Sequence, residues 1–176
     1  MMKAFALAAV LAVTACAPFI PSSRWVGAPM FVVSNLEASQ LKGRWYEVAS
    51  FPTRFQAGCY STVAEYTLRP DGLIGVRNQC RIVDQPGVIR QIEGTARIVG
   101  PGQLQVRLQG VPVPAQYWVL DISRDGRTLI VGNPSRQGGW VLRRDASVTP
   151  EQMFDARTVF ERNGYDVAAL QRTRLR

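Results

Sequence analysis

The chain is 176 residues long, with 21 Lys and Arg against 13 Asp and Glu, a net charge of +8, and no histidine. This length supplies one domain with a sizeable core. Histidine is the usual general base, the usual activator of nucleophiles and the commonest metal ligand, so its absence argues against most catalytic and metal-binding sites. We therefore expect no metal site, no cofactor and no enzyme activity.

Residues 1–15 have the features of an export signal. The apolar run Ala4–Val13 follows a positive end and is about ten residues long, too short for a membrane span of roughly 20 residues. Val13-Thr14-Ala15-Cys16 resembles the lipobox of bacterial lipoproteins, which implies cleavage before Cys16 and stable membrane attachment through its acyl chains. Ala17 in place of an aspartate implies sorting to the outer membrane, with the protein facing the periplasm. The alternative is ordinary secretion with Cys16 as a bystander.

The excess of arginine raises the question of an anionic partner. An exported protein rarely meets nucleic acid, so we expect no nucleic-acid binding and favour anionic lipid headgroups among charged partners. The alternative is that the arginines, which are spread over most predicted strands, only solvate the surface. The sequence leaves the oligomeric state open, a homodimer included.

Residues 16–31 have the composition of a flexible tether that follows the acylated cysteine. Pro18, Pro21 and Pro29 interrupt this segment, which is typical of a linker and not of a core. We place the folded domain at residues 32–171.

Alternating apolar and polar residues predict an all-β domain. The separators Pro70-Asp71-Gly72, Gly100-Pro101-Gly102 and Arg124-Asp125-Gly126 are typical of tight turns, so neighbouring strands are antiparallel. Closing such a meander into a barrel removes both exposed edges. The eight predicted strands are Arg44–Thr53, Cys59–Arg69, Leu73–Cys80, Val88–Val99, Gln103–Gln109, Gln116–Ser123, Thr128–Gly132 and Gly139–Arg144.

The alternation also indicates which side chains face the interior. A barrel of eight strands is just wide enough to be filled by side chains or to hold one small ligand. The inward set mixes small residues with a few aromatic ones, which favours an apolar pocket over a filled core. The candidates for its lining are Ala64, Tyr66, Leu68, Val76, Val106, Leu108 and Trp140.

Cys59 and Cys80 form an even pair in an oxidising compartment, which predicts a disulfide. A zinc site or a catalytic thiol would lack partners. If residues 70–72 form a three-residue hairpin loop, however, even-numbered residues oppose even-numbered ones, and the two cysteines start on opposite faces. The bridge therefore requires a β-bulge or a strand end that leaves the pleat.

One helix is predicted after the last strand. Thr149 is a suitable N-cap with Pro150 at the first helical position, and Asn163-Gly164 ends the helix. Its apolar residues recur at helical spacing, so this face is expected to pack on the barrel wall. Residues 172–176, with three arginines, are expected to form a solvated basic tail.

Five segments in this order resemble the lipocalin family, over roughly residues 32 to 171. The resemblance is closest to bacterial outer-membrane lipocalins and to relatives of apolipoprotein D. It implies an eight-stranded up-and-down barrel with one C-terminal helix on its wall. The matching segments are Leu41-Lys42-Gly43-Arg44-Trp45-Tyr46-Glu47-Val48-Ala49, Ala64-Glu65-Tyr66-Thr67-Leu68 with Asp71-Gly72, Gln91-Ile92-Glu93-Gly94-Thr95-Ala96, Tyr117-Trp118-Val119-Leu120-Asp121 and Trp140-Val141-Leu142-Arg143-Arg144.

The resemblance assigns roles to particular residues. It implies that Trp45, two residues after Gly43, plugs the closed end of the barrel and that Arg144 packs across its ring, a cation–π contact of about 0.5 to 2 kcal/mol. Arg144 is indicated and not Arg143, because Arg144 lies four positions after Trp140 and so faces the same side of the strand. The resemblance also implies that the side chain of Tyr117 faces the pocket.

The implied function is binding of one apolar molecule, with fatty acids and lysophospholipids as the expected ligands and maintenance of the outer membrane as the expected role. Two alternatives stay open. One is a structural envelope lipoprotein whose filled barrel acts through partner proteins. The other is an enzyme that uses Cys59 as a nucleophile, although no base is evident beside it.

Overall fold

Eight antiparallel strands close into a barrel in the structure, a computed structural model that describes residues 29–174. The predicted signal peptide, Cys16 and nearly all of the predicted tether lie outside the described residues. A short helix, α1 (Ala38–Leu41), precedes the first strand. The strands are β1 (Gly43–Ser50), β2 (Cys59–Leu68), β3 (Ile74–Ile82), β4 (Gln85–Gly100), β5 (Gln103–Leu108), β6 (Ala115–Ile122), β7 (Thr128–Gly132) and β8 (Gly139–Arg143).

The barrel closes through its first strand. Consecutive strands pair from β2 to β8, and β1 pairs with β2 along one edge and with β8 along the other. The predicted up-and-down barrel is therefore confirmed. The strand ends differ from the predicted ones by a few residues. Strand β1, for example, ends at Ser50, and Phe51 and Pro52 belong to the connection that follows.

The strand directions define two different ends. The closed end carries α1, the start of β1 and the tight turns after β2, β4 and β6. The open end carries the 3₁₀ turn Arg54–Gln56 and the connections after β3, β5 and β7. Loops that surround a ligand entrance would therefore all come from the open end.

Apolar side chains form one cluster on each side of the sheet. The interior cluster includes Trp45, Ile74 and Leu104, and the outer cluster joins the wall to the helix α2 (Pro150–Arg162). Burial of both faces explains why strands β1, β7 and β8 contain consecutive apolar residues instead of a strict alternation.

Helix α2 begins as predicted, with a capping box at Thr149. The hydroxyl of Thr149 accepts a bond from the Gln152 amide at 3.3 Å, and the Gln152 side chain accepts one from the Thr149 amide at 2.9 Å. Its buried face packs on the barrel wall, where Phe160 meets Phe51 edge-on at 4.9 Å between ring centroids. Within residues 29–174, neither α2 nor any other helix is long and apolar enough to cross a membrane.

The predicted disulfide between Cys59 and Cys80 is confirmed, with 5.5 Å between the Cα atoms. The β-bulge that it requires is also present. The register of β2 against β3 shifts between Tyr60 and Val63, and Ser61 adopts a positive φ of 50°. The extra residue brings both cysteines to the same face of the sheet.

Over the described residues, the backbone of the predicted basic tail is bound to the barrel, while Arg172 and Arg174 are exposed as expected of solvated residues. Gln171–Arg172 form a short strand, β9, that pairs with β1 at Ala49 and Ser50. The Ser61 amide then donates to the Arg174 carbonyl at 2.8 Å. Strand β2 leaves β1 after Tyr46, so the backbone groups of the second half of β1 need another partner, which β9 provides.

Candidate functional site

Trp45 fills the closed end of the barrel and is 0% exposed. Its indole Nε1 donates to the Leu41 carbonyl at 2.7 Å. The Arg144 guanidinium lies over the ring, with Cζ 3.6 Å from the centroid, and donates to the carbonyls of Arg44 and Gln40 at 3.2 and 3.0 Å. These contacts close this end of the barrel with side chains and leave it no entrance.

Gly43 makes room for the same arginine. Its φ is +98°, a conformation that favours glycine, and a Cβ at this position would lie 3.2 Å from Nη1 of Arg144. Gly43 and Trp45 thus allow one arrangement, in which the guanidinium reaches the indole face, the Gln40 carbonyl of α1 and the Arg44 carbonyl of β1.

The predicted lining residues separate by depth. Ala64, Tyr66, Val76 and Val106 are buried in the interior cluster, and three further members lie nearer the open end and are only half-buried: Leu108, Tyr117 and Trp140. The interior is therefore sealed at one end and partly accessible from the other. This gradient fits a pocket that a ligand enters from the open end.

Leu68 does not belong to this lining and corrects the prediction. It has the expected strand parity but is 46% exposed. Strand β1 begins at Gly43, opposite Tyr66, so β2 extends two residues beyond its neighbour at the closed end. Leu68 pairs with Ile74 of β3 but has no strand on its β1 side, and so lies outside the plug formed by Trp45.

Three aromatic rings cross the interior. The hydroxyls of Tyr66 and Tyr117 are hydrogen-bonded at 2.8 Å, and the Tyr117 ring stacks on Trp140 with 6.0 Å between centroids. Burial raises the pKa of Tyr66 to about 12 and the pKa of Tyr117 well above its ordinary value. Both phenols are therefore neutral at physiological pH and present an apolar surface with a single polar pair.

A buried carboxylate that sequence analysis missed connects the pocket to the open end. Glu47 is 3% exposed; it accepts bonds from Gln56 Nε2 and, at 2.7 Å, from Thr173 Oγ1. Gln56 Oε1 in turn accepts a bond from Trp140 Nε1 at 2.9 Å. One signal was available in the sequence, because Glu47 follows Trp45 by two residues and so has the same inward parity.

Burial raises the pKa of Glu47 above its ordinary value, although hydrogen bonds from its neighbours act in the opposite direction. The folded state therefore holds this proton more tightly than the unfolded state. It follows that the carboxyl destabilises the fold increasingly as the pH rises from the unfolded-state pKa through the folded-state pKa.

Replacing Glu47 by glutamine is accordingly expected to stabilise the protein at about pH 8 and to change little at about pH 4, since glutamine keeps the shape but does not ionise. Thermal unfolding midpoints of both chains across this range measure the effect. Glu93→Gln, on the exposed outer face of β4, serves as the control. Parallel pH profiles for the parent and Glu47→Gln would contradict the assignment.

The described residues of this site offer apolar contact and a few hydrogen bonds. Cys59, the candidate nucleophile, is bonded to Cys80 and so has no thiol in the oxidised protein. Among residues 29–174, no group of three His, Cys, Asp or Glu side chains is arranged to hold a metal ion. Apolar and aromatic surfaces with a few satisfied polar groups remain, which is the usual lining of a small-molecule pocket.

Comparisons with known proteins agree with this geometry. Residues 36–174 match the family described as a lipocalin-like domain. The chain is 36% identical over 155 residues to temperature-induced lipocalin-1 of Arabidopsis thaliana, with 82% of each chain covered. It is 33% identical over 170 residues to the outer membrane lipoprotein Blc of Escherichia coli, covering 95% of this chain and 92% of that one. Insecticyanin from the tobacco hornworm Manduca sexta has a similar fold, with a TM-score of 0.66 at 18% identity over 85% of this chain and 86% of its own.

Proposed function

This chain belongs to the lipocalin family, and from that premise we propose that its barrel binds one fatty acid or lysophospholipid. The observation that carries the proposal is the gradient of burial along the interior. Trp45 and Arg144 close one end, whereas Leu108, Tyr117 and Trp140 remain partly accessible at the other. An acyl chain would enter at the open end, with its terminal methyl group directed toward the plug.

Apolar contact supplies enough free energy for such a complex. Each methylene group removed from water contributes about 0.8 kcal/mol, so about ten of them contribute roughly 8 kcal/mol before ordering costs are subtracted. A dissociation constant of 1 µM corresponds to about 8 kcal/mol, so a longer acyl chain reaches micromolar affinity after those costs. The ligand would then be stored or carried for maintenance of the envelope.

We further propose that acyl chains on Cys16 anchor the protein to the outer membrane, on the periplasmic side. The export signal at residues 1–15 and the similarity to an outer membrane lipoprotein support this placement. Two or more acyl chains give stable attachment where one does not. Mass spectrometry of the N-terminal peptide, with acyl chains found on Cys16, is the direct check.

Trp140 is expected to report occupancy of the pocket, because its ring lines the interior and its Nε1 bonds to a residue of the open end. Saturating palmitate or lysophosphatidylglycerol should change the intrinsic fluorescence of the folded protein. In Trp140→Phe this change should disappear, and the affinity for a labelled fatty acid should fall about threefold to tenfold because stacking on Tyr117 changes.

Trp118→Phe is the matched control, since Trp118 lies on the same barrel but packs in the outer cluster beside α2. It should retain the full fluorescence response. The pocket assignment fails if neither lipid changes the fluorescence of the parent chain and Trp140→Phe binds the labelled lipid as before. A parent chain that binds no labelled lipid would instead favour a filled barrel that acts through partner proteins.

A further inference from the structure

Large apolar side chains are concentrated around the open end of the barrel. Within residues 29–174, ten such side chains are exposed; three of them lie on the connections of this end, and two more, Val88 and Ile89, lie near the start of β4. The two most exposed are Phe55 at 81% and Val113 at 72%. We call this set the open-end rim: Phe55, Val83, Val88, Ile89 and Val113.

The rim borders the entrance to the interior on the connections after β1, β3 and β5. On one side, the turn between β3 and β4 contacts the segment that follows Phe55, because the Val83 amide donates to the Gly58 carbonyl at 2.9 Å. Arg90 Nη1 also donates to the Ala57 carbonyl at 3.3 Å. Val113 lies on the connection between β5 and β6 at the same end. Apolar side chains therefore border the mouth on connections from three different strand pairs.

The exposure of Phe55 follows from its neighbour's hydrogen bonds. Gln56 is directed into the barrel, where it bonds to both Glu47 and Trp140. Phe55, one position earlier on the same 3₁₀ turn, consequently points away from the wall. Val113 lies between two prolines, which restrict the backbone and hinder folding of this side chain back onto the barrel. Clustered apolar residues held outward in this way mark a contact surface.

The charges of the rim indicate which partner it contacts. Segments 52–58, 81–90 and 109–115 contain the exposed arginines Arg54, Arg81 and Arg90 and a single acid, Asp84. Arginines beside inserted apolar side chains suit an anionic bilayer, since the guanidinium groups lie at the phosphates while the apolar groups reach the acyl chains. A second copy of this chain would bring the same positive rim against itself, which is unfavourable.

We propose that the open-end rim docks on the surface of an anionic phospholipid bilayer, with Phe55 and Val113 inserted below the headgroups. The mouth of the barrel then opens directly onto the membrane. Docking does not depend on the bound ligand, whereas transfer of a lipid between bilayer and barrel through this mouth rests on the proposed function.

Vesicle co-sedimentation of the chain carrying Cys16→Ser, which excludes acylation at that position, tests the docking. We expect binding to phosphatidylcholine vesicles that contain phosphatidylglycerol and much weaker binding to pure phosphatidylcholine vesicles. The affinity of the double variant Phe55→Ser/Val113→Ser for the anionic vesicles should fall by about tenfold or more, because membrane affinity scales with the inserted apolar area. Circular dichroism confirms that each variant is folded.

Phe154→Ser provides the matched control, since Phe154 is 69% exposed but lies on α2, outside the rim. It should bind the anionic vesicles as the parent does. Equal binding by the double variant and the control, or no binding by the parent, would overturn the proposal. Loss of a dimer in the double variant, without vesicle binding by the parent, would overturn it in favour of self-association. The Trp140 fluorescence response to palmitate distinguishes failure of membrane docking from failure of ligand binding in the barrel. It should persist in the double variant even where docking is lost.

Discussion

Replacing Trp45 by alanine is expected to lower the free energy of unfolding by about 4 kcal/mol, near the upper range for single substitutions. The side chain is fully buried, so its loss leaves a cavity at the closed end. The Leu41 carbonyl loses its donor, and the Arg144 guanidinium loses the ring beneath it. Chemical denaturation of the parent and the variant under identical conditions measures the change.

Two further variants test whether the loss of stability in Trp45→Ala comes from the contact of Trp45 with Arg144 at the closed end or from the loss of any aromatic side chain. Tyr46→Ala removes the adjacent aromatic residue from the opposite, half-exposed face of β1 and should cost far less. Arg144→Ala should cost about 1 kcal/mol in the parent and measurably less in the Trp45→Ala background, because the cation–π contact is already lost there and only the two carbonyl bonds remain. A cost below about 1 kcal/mol for Trp45→Ala would show that the closed end is not sealed by this ring.

Removing the disulfide is expected to destabilise the protein by about 3 kcal/mol, since the bridge closes a loop with a sequence separation of 21 and restricts the unfolded chain. The double variant Cys59→Ala/Cys80→Ala should therefore unfold at a markedly lower denaturant concentration. Reduction of the parent should give nearly the same midpoint, and reductant should have no effect on the double variant. Identical midpoints for oxidised and reduced parent would contradict the prediction.

Much of the fold was predictable because its determinants are local. Turn residues between short alternating segments predicted eight antiparallel strands, and parity within the last strand placed Trp140 and Arg144 on one face. The geometry of the β2–β3 hairpin even required an irregularity before Cys59 could meet Cys80, and the bulge at Ser61 supplies it. Each of these inferences depended on residues close together in sequence.

The features that escaped prediction depend on long-range contacts. Glu47, Trp140 and Thr173 come together through hydrogen bonds that span up to 126 positions. The alternation of apolar and polar residues along a strand does not indicate contacts between such distant residues. Leu68 was misplaced because alternation gives the face of a residue but not the length of the strand beside it. The pairing of Gln171–Arg172 with β1 was not predicted, because it depends on an edge of β1 more than 120 positions away along the chain.

The position of β1 between β8 and β9 has a consequence for folding kinetics. One of the first segments to be synthesised pairs with two of the last, so closure waits for nearly the whole domain and requires contacts of high sequence separation. Domains with such topology fold on the order of milliseconds to seconds, which is slow compared with helical bundles of similar size. During that interval the edge of β1 offers unpaired backbone groups to other chains, so a newly made chain is most prone to aggregation, and most dependent on chaperones, before its final strand pairs.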